Sequence, residues 1–236
     1  MKMTSRILIA TLCAATLSVA NAADITGKIT LKGTPPPAVE LTDVKNNADC
    51  SKFHKEPVMT QHFIVGKGGE LANVIVALKG VPAKAGGEAA KPAVLDQKNC
   101  LYAPQILAIQ TSQKLLVKNS DPVLHNVHTL PAVSGNPEKN NGQAAGQPDL
   151  AFSFPKAENF LKFKCDVHPW MFAWVSVFDH PYFAVTDKDG KFTIKDVPPG
   201  KYTIEARHRK AAPEGVTKEV EVKDSGATAD FTLEVK

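Results

Sequence analysis

The segment 162–178, KFKCDVHPWMFAWVSVF, carries a thiol, an imidazole and a thioether within seven positions. Apolar and basic residues alternate ahead of Cys165, which predicts a strand that turns this thiol toward a buried face. Pro169 cannot donate to a strand ladder, so we expect the chain to turn after His168 and to bring Met171 back near Cys165. These three side chains form a soft ligand set that suits copper better than zinc, calcium or magnesium.

A second imidazole is available in the segment 115–128, LLVKNSDPVLHNVH. Here an apolar strand meets an Asn-Ser-Asp-Pro turn, which is followed by His125 and His128. Because the separation of the two histidines is odd, their side chains point to opposite faces of a strand, and only one is expected to reach a metal. Two histidines, one cysteine and one methionine are typical of a blue-copper electron-transfer site.

The two segments together resemble the cupredoxins. The His-Asn-Val step at His125 is similar to that of plastocyanin, and the two residues between His168 and Met171 give a loop of amicyanin length. The resemblance implies a Greek-key β-sandwich that binds one type 1 copper ion. Its implied ligands are His125, Cys165, His168 and Met171, with the backbone amide of Asn126 near the sulfur.

The carboxy-terminal residues follow a different pattern. The segments 185–194, VTDKDGKFTI, and 197–204, VPPGKYTI, each combine strand residues with an Asp/Gly or Pro-Pro-Gly turn. They resemble the carboxypeptidase regulatory-like β-sandwich, a small non-catalytic module. We therefore predict an all-β protein in which a cupredoxin-type Greek-key sandwich packs against a second, smaller β-sandwich.

The predicted domains are 23–178 for the copper domain and 179–236 for the second sandwich. However, the segments 27–29, GKI, and 73–76, NVIV, resemble the opening strands of the regulatory-like module. Strands in 23–80 therefore belong either to the first sandwich or, in space, to the second, with the copper segment inserted between. Both assignments stay open at this stage.

Residues 1–22 have the features of a secretory signal peptide. Lys2 and Arg6 are basic, an apolar run follows, and Ala20-Asn21-Ala22 is a small-x-small cleavage pattern. We predict a cut after Ala22 and a periplasmic or secreted product, since the apolar run is too short to span a membrane. Loss of the two basic residues lowers the net charge from +4 to +2, too balanced to indicate nucleic-acid binding.

Three cysteines remain after this cleavage. If Cys165 is a metal thiolate, Cys50 and Cys100 are the natural disulfide pair in an oxidising compartment. Their loop of about 50 residues predicts a stabilisation of roughly 4 kcal/mol. The alternative, a bridge from Cys165 to either of the other two, would exclude the copper site.

Two further features are weaker candidates for function. His54, Met59 and His62 lie close together in the sequence, but no thiol or fixed loop joins them, which favours ordinary surface or core roles over a second copper cluster. The connection 129–149 is long for a compact domain, and its composition indicates a mobile or docking loop or plain disorder.

We predict an exported carrier of single electrons, with a redox partner that docks near His168, Pro169 and Trp170. The axial Met171 closes the position that a copper catalyst needs, and no acid–base constellation accompanies it, so we predict neither an enzyme nor catalytic residues. Three alternatives stay open: a periplasmic copper-binding or trafficking protein without an electron-transfer role, a closed zinc site, and a purely structural β-sandwich.

Overall fold

The computed structural model describes residues 22–84 and 86–235, and its regular structure is almost entirely β-strand, which confirms the predicted class. The predicted signal peptide lies outside the described residues except for Ala22. The described helices are α1 (Thr42–Asn46) and two 3-10 turns at Cys50–Phe53 and Gly87–Ala89. No helix in the described ranges is long and apolar enough to cross a membrane.

Seventeen strands make up the rest of the regular structure between Ala22 and Val235, residue 85 apart. They are β1 (Ala23–Lys32), β2 (Ile75–Lys79), β3 (Ala93–Lys98), β4 (Leu101–Ala103), β5 (Ile106–Gln110), β6 (Leu115–Asn119), β7 (His125–Leu130), β8 (Lys139–Gln143), β9 (Leu150–Phe152), β10 (Glu158–Lys164), β11 (Phe172–Phe178), β12 (Phe183–Val185), β13 (Lys191–Val197), β14 (Gly200–His208), β15 (Ala212–Val222), β16 (Ala227–Thr228) and β17 (Phe231–Glu234).

The first sandwich is formed by two sheets that share one core. One has the strand order β5-β11-β10-β7-β8 and the other β4-β3-β6-β9. Buried apolar side chains alternate along β6, β10 and β11, so each sheet turns one face inward. Fully buried members of this core include Leu95, Leu115, Phe154, Leu161 and Phe163.

The second sandwich encloses a separate core. Its sheets are β13-β1-β16, with β17 also beside β1, and β12-β2-β14-β15. Strands from residues 23–80 thus pair with strands from 183–234, and residues 93–178 are inserted between β2 and β12. Of the two assignments left open for residues 23–80, β1 and β2 follow the one that puts these strands in the second sandwich. The domain limits 23–178 and 179–236 remain a prediction.

The two sandwiches contact each other along β11. Its residues Ala173, Val175 and Val177 are buried in the first core. On the opposite face, the guanidinium carbon of Arg209 lies 3.6 Å from the centre of the Trp174 ring, an arrangement that favours a cation–π interaction. The strand β11 is therefore covered from both sides, as its two apolar faces require.

The connection 129–149 is more ordered than its composition indicates. It contains β8, which pairs antiparallel with β7. Gln143 is fully buried, accepts a hydrogen bond from the Gln97 amide at 2.8 Å and donates to the Val117 carbonyl at 3.1 Å. Buried side-chain hydrogen bonds therefore fix a polar strand that hydrophobic periodicity does not reveal.

Candidate metal centre

Three predicted ligands converge from two neighbouring strands. His125 is the first residue of β7, and Cys165 directly follows β10, which pairs antiparallel with β7. His168 lies in the loop between β10 and β11. One ring nitrogen of each histidine and the Cys165 sulfur all lie within 4.8 Å of one another.

The distances between these atoms suit a single metal ion. His125 Nδ1 lies 2.9 Å from His168 Nδ1, which lies 3.8 Å from Cys165 Sγ. Metals such as zinc bind ring nitrogens at about 2.1 Å and thiolates at about 2.3 Å, which places two nitrogens on one ion at most about 4.2 Å apart and a nitrogen and a sulfur at most about 4.4 Å apart. The three residues are 0%, 5% and 1% exposed, in the order His125, His168, Cys165. This buried, sulfur-containing donor set fits a soft metal ion.

Met171 lies in the same loop and is fully buried. Its N–H donates to the His168 carbonyl at 2.9 Å, and its own carbonyl accepts from the Cys165 N–H at 3.1 Å. The turn expected at Pro169 is therefore present, and Met171 joins the core that also contains Cys165. Ligation by the Met171 thioether remains a prediction.

Hydrogen bonds around Cys165 favour the ionised, thiolate form of its side chain. The Asn126 N–H donates to Sγ at 3.4 Å, and the Asn126 Oδ1 accepts from the N–H groups of Asp166 and Val167 at 2.6 and 3.2 Å. Burial raises the pKa of the thiol, but hydrogen bonds from His125 and from backbone N–H groups outweigh it, so the pKa is lowered. Metals bind the thiolate form.

Asp121 orients His125 from behind. Its Oδ2 accepts from His125 Nε2 at 2.9 Å, and the carboxylate also accepts from the N–H groups of Asn99 and Cys100 at 2.6 and 2.7 Å. Burial opposes ionisation of Asp121, but these hydrogen bonds lower its pKa. A carboxylate on one nitrogen of a metal-binding histidine fixes the tautomer that presents the other nitrogen. Asp121 is not among the predicted site residues; its signal in the sequence is the Asn-Ser-Asp-Pro turn four residues before His125.

The two imidazoles of the centre differ electrostatically. Burial opposes protonation of His125, but hydrogen bonds to Asp121 and Cys165 outweigh it and raise its pKa. For His168, burial and then the nearby His125 both lower the pKa. His168 is therefore held neutral, the form that binds a metal.

The other candidate histidines lie apart from this centre. His128 points away from it, as expected, and its ring nitrogens contact Asp166 Oδ2 at 2.8 Å and Glu138 Oε1 at 3.2 Å. His54 Nε2 contacts the Asn99 carbonyl at 2.8 Å. Among the described residues, none of the close three-residue sets of His, Cys, Asp and Glu ligands includes His54 or His62.

The disulfide between Cys50 and Cys100 is present, which confirms that predicted pair, and Cys165 is a free, buried cysteine. A bridge from Cys165 to either of them, the arrangement that would exclude the copper site, is therefore not formed. The Trp170 ring lies beside His168, with ring centroids 5.1 Å apart.

The second sandwich matches a family model. Residues 182–236 match the BOS complex subunit NOMO1-like family, second beta sandwich domain. The match places a β-sandwich where one was predicted, under a family other than the carboxypeptidase regulatory-like one. No curated protein matches the chain.

Solved structures resemble parts of the chain at low TM-scores. An oxidised amicyanin mutant is 19% identical, with 43% of this chain and 97% of that chain covered and a TM-score of 0.33. A purple cupredoxin from Nitrosopumilus maritimus is 21% identical, with 36% and 98% covered and a TM-score of 0.31. A Cu-containing nitrite reductase from Thermus scotoductus SA-01 is 19% identical, with 43% covered and a TM-score of 0.34, and the match spans only 25% of that chain.

Proposed function

We propose that this chain is an exported copper protein that carries single electrons between redox partners. The observation that supports it is the convergence of one ring nitrogen of His125, one of His168 and the Cys165 sulfur within 4.8 Å at a buried position. Met171 is proposed as the weak axial ligand. Bound copper supplies a one-electron couple between Cu(II) and Cu(I).

The residues around the ligands suit an electron carrier. Asp121 holds the His125 ring, and Asn126 binds both the Cys165 sulfur and the loop that follows it. Ligands fixed in this way move little when the charge of the metal changes, which keeps the barrier to electron transfer low. The same closed shell disfavours catalysis, which needs an open coordination position.

We place the docking surface for a redox partner around the edge of His168. Val167 and Pro169 flank His168 in the sequence and are exposed, Val167 to 50%, and Leu124, directly before His125, is 54% exposed. His168 itself is 5% exposed, whereas His125 is fully buried. Trp170 is half-buried beside the His168 ring. An exposed apolar patch next to a redox centre fits transient contact with another protein.

The alternative function, copper trafficking, requires ligands that an acceptor protein can reach. All four proposed ligands are at most 5% exposed, which favours a resident ion over one that is passed on. A trafficking protein would lose its copper quickly to a Cu(I) chelator, whereas the proposed carrier retains it.

The proposal is tested by adding Cu(II) to the purified protein and recording its visible absorption and electron spin resonance. We expect one copper per chain, an intense blue thiolate-to-copper band and a narrow copper hyperfine splitting. Cys165→Ser removes the sulfur and should abolish the blue band. Any copper that the chain binds at other positions would still be bound by this variant. A colourless protein, or equal retention of zinc with no copper preference, would overturn the proposal.

A further inference from the structure

The Cys50–Cys100 disulfide lies directly against the proposed metal centre. Cys50 begins a 3-10 turn, Cys100 lies in the turn between β3 and β4, and both are fully buried. A ring nitrogen of His168 lies within 4.8 Å of both sulfurs. The disulfide therefore packs against His168, and it ties the turn at Cys100 to a part of the chain 50 residues earlier.

Cys100 is connected to the first ligand histidine through Asp121. The Cys100 N–H donates to Asp121 Oδ2 at 2.7 Å, and the same oxygen accepts from His125 Nε2 at 2.9 Å. The neighbouring Asn99 N–H donates to the other carboxylate oxygen at 2.6 Å. The turn that contains Cys100 thus fixes the carboxylate that orients His125.

Cys100 is also connected to the second ligand histidine. Its carbonyl accepts a hydrogen bond from Trp170 Nε1 at 3.0 Å. The Trp170 ring in turn lies 5.1 Å from the His168 ring. One residue therefore contacts both ligand segments, with its N–H directed to one and its carbonyl to the other.

This turn has a backbone conformation that residues other than glycine rarely adopt. Asn99 and Cys100 have φ values of +56° and +54°, both in the left-handed region. Such a conformation persists where surrounding contacts hold it. Here those contacts are the Asp121 carboxylate and the covalent bridge to Cys50.

We infer that the Cys50–Cys100 disulfide is a positioning element of the metal centre. By fixing the turn at Asn99 and Cys100, it sets the orientation of His125 and His168. The centre therefore binds its metal tightly only while the bridge is intact. The role in metal binding rests on the proposed function, whereas the orientation of the two rings is a property of the metal-free chain as well.

The first test uses the double variant Cys50→Ala/Cys100→Ala. Both cysteines are replaced because a single substitution would leave a free thiol beside His168. We expect Cu(I) affinity, measured by competition with a chelator, to fall at least tenfold, and the blue absorption band of the Cu(II) form to shift or weaken. Wild-type affinity and an unchanged spectrum would overturn the inference.

A matched control separates positioning from general loss of stability. Ile204→Ala creates a cavity in the second core, where Ile204 is fully buried, without touching the metal centre. Measured at a temperature where both variants are folded, this control should keep the wild-type affinity and spectrum. If it changes them as much as the double variant does, the effect of the bridge is not local and the inference fails.

The second test needs no metal. Ring 15N signals of His125 and His168 are recorded in the metal-free protein, before and after reduction of the disulfide by a water-soluble phosphine. The phosphine is oxidised to its oxide with oxygen from water, and the S–S bond becomes two thiols. We expect the tautomer balance of both rings to change, and the Trp170 Nε1–H signal, which reports the hydrogen bond to the Cys100 carbonyl and not the new thiols, to shift as well. Unchanged signals would overturn the inference even if the double variant does not fold. A wild-type protein that binds no copper would end the proposed function, and the metal-free test would still decide whether the disulfide orients the two rings.

Discussion

Asp121 is not a predicted metal ligand, yet it is the residue through which His125 is oriented. Its two oxygens accept three hydrogen bonds from N–H groups, so an amide in its place would set an NH2 group against at least one donor. We expect Asp121→Asn to lower copper affinity by about 10- to 100-fold, the usual effect of losing such an orienting group. Chelator competition measures this change.

The control for that substitution is Asp149→Asn, which removes the same charge at an exposed position that makes no hydrogen bond to the centre. It should leave copper affinity unchanged. Equal losses in the two variants would show that net charge, and not orientation of His125, controls binding.

The buried His208 side chain should make the free energy of unfolding depend on pH. It is 2% exposed, and its Nδ1 accepts from the N–H groups of Lys210 and Ala211. Burial, with a smaller effect of Arg209, lowers its pKa from 6.5 to about 4. The unfolded chain therefore binds a proton between about pH 6.5 and pH 4 that the folded chain does not, and stability falls as pH falls through this window, by up to about 3 kcal/mol.

This loss is measured as the free energy of unfolding of the metal-free protein in urea at several pH values from 7.5 to 4.5. His208→Gln keeps a polar side chain that does not titrate, so its stability should fall less steeply over that range. Parallel curves for variant and wild type would contradict the assignment to His208.

At the scale of secondary-structure elements, the loop between β10 and β11 combines three of the proposed ligands, Cys165, His168 and Met171, with the proposed docking surface. Val167 is half exposed in this loop, directly before His168. We expect Val167→Lys to slow electron self-exchange between copies of the copper-loaded protein by about tenfold, because the apolar patches would then meet as like charges. Nuclear magnetic resonance line broadening in mixtures of the two oxidation states measures the rate.

Val216→Lys is the matched control, because Val216 is a partly exposed valine on β15 of the second sandwich. It adds the same charge far along the sequence from the loop and should leave self-exchange unchanged. The blue band must also be unchanged in both variants. A normal rate for Val167→Lys would place the docking surface elsewhere.

Strands and turns could be predicted from the sequence where the hydrophobic alternation and the turn-forming residues indicate the same structure. The alternation before Cys165 and the proline after His168 were sufficient to predict the β10 strand and the ligand turn. The strand β8 could not be predicted in this way, because a buried hydrogen bond between Gln143 and Gln97, 46 residues earlier, holds it in place. No periodicity in a polar segment reveals such a long-range contact.

At the scale of the whole molecule, the same limit applies to the metal centre and to the pairing of sandwiches. The histidines, the cysteine and the disulfide were predictable as residue types at suitable spacings. The orienting role of Asp121 was not, since it depends on where the turn at Cys100 lies in space. The sequences of β1 and β2 resemble the opening strands of the regulatory-like module, but the strands they pair with lie more than 100 residues away. Local sequence does not determine the register of such a distant strand pair.

The nested order of the chain has a consequence for biosynthesis. β1 pairs with β13, β16 and β17, which are translated more than 150 residues after it. Residues 93–178 contain all the strands of the first sandwich, so that sandwich can close while the chain is still emerging. The second sandwich then completes after it, against a first sandwich that has already closed.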